Sequence, residues 1–284
     1  MGVRVEIADT LQQALRLLAE SEPPVRLLAG GTDLLVQWRR DPPDSGTVVV
    51  LGHIPELQVI EERPEGIYIG SGATHAALRD SALLKAKVPA IVTAASGVGG
   101  RQIQSTGTIG GNIANASPAA DLAPPLLIAD AQVVLQSVRG ERKVPLDTFY
   151  RGYREIDLRE GEMIVGFLVR PLEPGGVEFF RKLGMRSAHA IAKVSVAMRL
   201  VLEGRKVCRA RIALGSLAEV PLRAEEAEKW LEGRELSRET IQEIGERVRA
   251  VVRPIDDIRS TARYRRWVAG NLVRGFVESL AAGD

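Results

Sequence analysis

The chain has 284 residues, 45% of them hydrophobic, which is enough to bury a sizeable core divided between about two folding units. Charged residues make up 26% with a net charge of only +2, and the basic residues are scattered without interleaved aromatics, which excludes an electrostatic nucleic-acid surface. A single cysteine, Cys208, excludes an internal disulfide, a four-cysteine zinc site and an iron–sulfur cluster ligated by this chain alone.

The first clear element in chain order is an amphipathic helix from Thr10 to Glu20, with Leu11, Ala14, Leu15 and Leu18 at helical spacing and Thr10 with Gln13 fitting a capping box. After a turn at Pro23 and Pro24, the apolar run Val25 to Ala29 leads into AGGTDLL, and a second strand follows at Val48 to Leu51, which reads as a compact βαβ-like unit. From Glu56 to Val165 short strands are predicted at Leu57 to Ile60, Ile67 to Ile69 and Val133 to Ser137, with an Ala-rich helix around Pro89 to Ala95. The Pro- and Gly-rich stretch 170–176 is the best linker. Beyond it, Val194 to Val201 and Val207 to Ser216 read as antiparallel strands turned at Glu203 and Gly204. Helical stretches then dominate: Ile241, Ile244, Val248 and Val251 lie on one face, and Trp267, Val268, Leu272 and Phe276 mark a last helix after Asp256 and Asp257. No run of about 18 apolar residues occurs, and the N-terminal residues lack secretory-signal features, so the sequence reads as a cytoplasmic protein with no membrane span.

The chemistry is carried by two glycine loops, Ala29-Gly30-Gly31-Thr32-Asp33 and Thr106-Gly107-Thr108-Ile109-Gly110-Gly111-Asn112. Glycine lets successive backbone N–H groups converge on a concave site, and the neighbouring threonines add hydroxyl donors. Neither 27–38 nor 102–130 contains a lysine or arginine, so a bound anion is expected to rest mainly on backbone amides, as suits a buried diphosphate within a dinucleotide. There is no GxxxxGK[ST] P-loop, and no GxGxxG follows a first strand. Each loop taken alone has the composition of a tight turn; two together are harder to explain that way.

Asp121 has two readings, as N-cap of a helix opened by Pro124 and Pro125, or as acceptor for the hydroxyls of a ribose or ribityl chain. His53, His75 and His189 are isolated, and no HExxH or GxSxG occurs, which argues against metal or triad catalysis. His75 is read either as an ordinary surface or core histidine or, in the turn after Ile69, as a group near a ligand.

The segments LLAGGTDLL, IGSGATH, TGTIGGNIANASPAADLAPPLL, PLRAEEAEKWLEGREL and PIDDIRSTARYRR together resemble the FAD-binding medium subunit of molybdenum hydroxylases, the family of xanthine dehydrogenase and carbon monoxide dehydrogenase. The resemblance implies an α+β fold: a vanillyl-alcohol-oxidase-like (PCMH-type) FAD-binding domain of two subdomains, 1–56 and 57–169, and a C-terminal domain, 175–284, with a three-stranded antiparallel sheet and a helical bundle. It implies FAD contacts from Leu28, Ala29, Gly30, Gly31, Thr32, Asp33, Leu34 and Leu35, from Thr106, Gly107, Thr108, Ile109, Gly110, Gly111 and Asn112, and from Asp121 and Lys193. Val98 stands at a position that is aromatic in some relatives. The implied partners are a large subunit with the molybdenum cofactor and a small two-cluster iron–sulfur subunit, with NAD or a quinone among the terminal acceptors. A stand-alone flavin dehydrogenase and a flavin-free scaffold are the alternative readings.

Overall fold

The structure is a computed structural model, and it describes residues 2–186 and 188–283. Among the described residues three larger sheets follow one another along the chain, beside a two-stranded ribbon of Tyr150–Gly152 and Glu155–Ile156. The first is parallel, with Gly46–Val50 at its centre between Val3–Ile7 and Val25–Leu28. The helix Leu11–Glu20 packs Ala14 and Leu15 inward. Its predicted cap is present, since Gln13 N donates to Thr10 Oγ1 at 3.2 Å, although the Gln13 side chain reaches back to Asp9 N at 3.0 Å rather than to the cap residue. The strand Val3–Ile7 escapes the sequence reading because its apolar residues Val3, Val5 and Ile7 alternate onto an exposed face.

The second sheet is antiparallel, in the order Ile60–Arg63, Gly66–Gly70, Met163–Val169, Gln132–Ser137, Gly140–Pro145. The strand predicted at Leu57 to Ile60 is instead a 3-10 turn, Pro55–Leu57, followed by Ile60–Arg63; Pro55 presets the turn and Leu57 is buried. Between Gly70 and Gln132 the chain forms short helices, and three of them, His75–Asp80, Arg101–Thr106 and Ile109–Ala114, begin or end at the glycine-rich turns.

The third sheet has three long antiparallel strands, Gly176–Leu183, Val194–Glu203 and Lys206–Gly215. A two-residue fourth strand, Leu222–Arg223, extends the three-stranded sheet that was expected. Helices Glu225–Leu231, Arg238–Val251 and Ala262–Ala282 cover it. In the last of these the buried stripe is Val268, Ala269, Val273 and Val277, and Trp267 is exposed.

The predicted linker is pinned. Leu172 N donates to Lys87 O at 2.7 Å, and Arg199 Nη1 donates to Arg170 O at 3.0 Å. Phe180, Ala197 and Ala213 of the third sheet share a core with Ile67, Ile91 and Leu126 from before the linker.

Candidate functional site

Strand Val25–Leu28 delivers the first glycine loop, and helix Arg101–Thr106 delivers the second. The two bends touch. A Cβ placed on Gly30 would stand 1.8 Å from Thr106 O, so only the absence of a side chain lets the backbones meet. A third segment, Gly70 to His75, locks the second loop: His75 N donates to Gly107 O and Ile109 N to Ala73 O, both at 3.0 Å, and Gly110 N donates to Ser71 O at 2.8 Å.

These three segments surround a cavity of about 800 Å³, within the size range of sites that enclose organic ligands. Leu28, Ala29, Gly30, Gly31, Thr32, Asp33 and Leu34 line it, as do Thr106, Thr108, Gly110, Gly111 and Asn112. Val98 lines it as well, and among the lining residues there is no lysine or arginine.

Five predicted residues do not line it. Leu35 is exposed, Ile109 is wholly buried, and Gly107 offers its carbonyl to His75 N. Asp121 does not cap the helix Ala123–Ile128, whose N-cap is Leu122; its Oδ2 accepts from Lys182 Nζ at 2.5 Å, and its Oδ1 is buried without a partner. Burial raises the Asp121 carboxyl pKa, against the pull of the Lys182 ammonium. Lys193 lies with its Nζ 5.7 Å from the Tyr264 ring centroid.

The two loops differ in what they offer. Among the described residues, the amides of Gly30 to Leu34 donate to no protein acceptor. In the second loop Ile109 N and Gly110 N are already used, and Gly111 N donates to Thr108 Oγ1 at 3.1 Å. The expectation that backbone amides of both loops hold an anion is therefore met unevenly: free N–H groups come from the first loop, whereas in the second the amides named are in use and the Thr106 hydroxyl donates to Gln102 O at 3.1 Å.

Residues that sequence reasoning left out include Ser71, Gly72 and Thr74 of the third segment, and the floor residues Leu57, Met163 and Ile164. The signal for the third segment was its own Gly-Ser-Gly spacing. Two ionisable groups line the cavity, Asp33 and His75, and both are driven towards neutrality. Burial raises Asp33, opposed by Arg154, and burial lowers His75 to about 4.

Residues 1–169 match the family model described as the FAD binding domain in molybdopterin dehydrogenase, and residues 179–280 match that of the CO dehydrogenase flavoprotein C-terminal domain. The chain is 32% identical over 278 residues to the xanthine dehydrogenase FAD-binding subunit of Escherichia coli O157:H7, covering 97% of this chain and 94% of that one. It is 30% identical over 261 residues to the glyceraldehyde dehydrogenase medium chain of Sulfolobus acidocaldarius, covering 92% of each. Among solved structures, a chain of carbon monoxide dehydrogenase from Hydrogenophaga pseudoflava superposes with a TM-score of 0.92 at 29% identity, covering 97% of this chain and 96% of that one.

Proposed function

The chain belongs to the FAD-binding medium subunits of molybdenum hydroxylases, and from that premise we propose that it holds one FAD non-covalently between its glycine loops and conducts electrons through it. The observation that carries this reading is the contact of Gly30 with Thr106 O, which makes two sequence-distant loops walls of one cavity with no fixed positive charge. The site fits the group: a Cβ on Gly111 would face the cavity with only Thr108 Oγ1 near it, and the unpaired amides of Gly30 to Leu34 would hold the diphosphate, with the hydroxyls of Thr32 and Thr108 beside them. When bound, the flavin supplies exchange between one-electron and two-electron carriers. The chain's own part is to bind, orient and shield that cofactor, with Leu57, Met163 and Ile164 excluding water from the floor. No side chain here is assigned as nucleophile or general base.

In this reading substrate is oxidised on a large subunit that carries the molybdenum cofactor, and a small two-cluster iron–sulfur subunit relays electrons to this chain. One cysteine, Cys208, exposed and unpaired, cannot ligate such a cluster, so the relay must lie on a partner. The related chains named for xanthine and for glyceraldehyde match at nearly full length, which supports placing substrate choice outside this polypeptide. Electrons leave to a terminal acceptor such as NAD or a quinone. The functional units are 1–56 and 57–169 around the cofactor and 175–284 behind it. No helix among the described residues is long and apolar enough to cross a membrane, and the proposed working compartment is the cytoplasm.

The test is flavin content. Gly111→Val places branched carbons at a position whose only near neighbour is Thr108 Oγ1, at 3.1 Å from a Cβ, so the intrusion falls largely on the cavity. The expected result is FAD affinity at least about tenfold weaker, with unchanged circular dichroism. Unchanged flavin content would overturn the loop assignment. Cys208→Ala should leave the flavin spectrum as it is.

A further inference from the structure

His75 is the one group lining the cavity that can become a cation. It opens the helix His75–Asp80, held there by its main-chain bond to Gly107 O and by the Thr74 cap, whose Oγ1 accepts from Ala77 N at 3.1 Å. The residue is 3% exposed, its Nδ1 is buried with no partner, and its Cδ2–Nε2 edge lies along Gly107, where a Cβ would be 3.1 and 3.2 Å away. A buried ring nitrogen without a partner is costly, and such exceptions call for a reason.

No protein charge stands ready to hold a proton on this ring. On its own helix Arg79 and Asp80 pair with each other at 2.6 Å, and Arg79 also bonds Gln104 at 2.7 Å on the neighbouring helix. That neighbour, Arg101–Thr106, carries Arg101 exposed, the packed helix Pro89–Ser96 has no charged residue, and the packed helix Ala82–Lys87 carries Lys85, whose Nζ donates to Asp80 O at 3.4 Å, and Lys87, paired with Glu62 at 3.8 Å. The only other ionisable side chain lining the cavity is Asp33.

We propose that His75 is a positioning residue for the anionic part of the cofactor, turning an N–H towards the diphosphate and taking up one proton as that anion binds, so that FAD loading is coupled to pH. This rests on the cavity being the FAD site. Without an anion burial keeps the ring neutral down to about pH 4, whereas a neighbouring diphosphate favours the imidazolium. The bound state then holds more protons than the free state, so affinity rises as pH falls through the bound-state value and levels off near pH 4. Within that window the dissociation constant changes by about tenfold per pH unit.

The experiment titrates FAD into the full chain by flavin fluorescence between about pH 5 and 8, with calorimetry in two buffers of different ionisation enthalpy to count protons. Uptake approaching one proton is expected in the wild type and in Asp33→Asn, with His75→Asn binding FAD at a pH-independent affinity. Pre-loading wild-type protein with ¹⁵N-labelled histidine gives a reading that needs no variant: the His75 ring nitrogens should pass from neutral to imidazolium on addition of FAD. Tight FAD binding without proton uptake, uptake that survives in His75→Asn, or uptake abolished by Asp33→Asn overturns the proposal. Failure of the underlying site reading looks different, as absence of FAD binding at every pH.

Discussion

At the scale of single residues, adjacent glycines have different tasks. A Cβ on Gly110 would lie 2.7 Å from both Cβ and O of Ser71, so Gly110→Ala must push the second loop off the strand end beneath it. It is expected to cost about 1–3 kcal/mol of stability, the usual range for overpacking, while Gly111→Ala should fold normally and lose mainly flavin. Comparing urea midpoints with flavin content for the two variants separates these effects. The motif spelling disclosed both glycines but could not say which faces the cavity, because that depends on Ser71, 39 positions earlier. His75 adds a pH dependence to the cofactor-free chain. Its folded pKa lies below the unfolded 6.5, so the unfolded state binds the extra proton, and stability present above 6.5 drains away as pH falls towards about 4. At about 1.4 kcal/mol per pH unit the loss approaches 3 kcal/mol, and His75→Gln should flatten that part of the stability profile of the cofactor-free protein.

At the scale of elements, local signals were legible where one residue decides the geometry. Thr10 and the prolines at 89 and 124 act at helix starts in the structure, and the turn at Gly204 joins the two strands predicted around it. The strands Val3–Ile7 and Gly176–Leu183 were not legible, since the first exposes its apolar alternation and the second hides behind charged Glu178, Arg181 and Lys182. Glu178 and Lys182 find partners far away in sequence, Arg199 and Asp121, and no short pattern can disclose such pairs. The N-cap of helix Ile109–Ala114 couples an element to the site: Thr108 Oγ1 accepts from Gly111 N, so Thr108→Ala frees that amide at the edge of the cavity. A stability loss of about 1 kcal/mol is expected, as for other N-cap threonines. Flavin affinity should fall less than in Gly111→Val, because no bulk enters the cavity. A variant that loses all flavin would instead make the Thr108 hydroxyl a principal contact.

At the scale of the whole molecule, the segment that reads as a linker in the sequence is held by a buried ion pair. Glu178 Oε1 accepts from Arg199 Nε at 2.8 Å and Nη2 at 2.6 Å, and its Oε2 accepts from Ala90 N at 2.9 Å. Arg199 then donates to Arg170 O, so one pair joins the helix Pro89–Ser96, the third sheet and the connecting chain. Both side chains are buried, and removing one partner strands the other charge away from water. Arg199→Met is therefore expected to lower the unfolding free energy by about 3–5 kcal/mol, more than any exposed pair would cost. The change should reach the connecting chain, with faster hydrogen exchange at the Leu172 amide that now donates to Lys87 O. The cavity lies mainly in the part before this clamp, so flavin affinity measured well below the unfolding midpoint should be close to that of wild type. Loss of FAD binding in a folded Arg199→Met protein would show instead that the third sheet helps to shape the cofactor site, and would move the boundary of the functional unit past the linker.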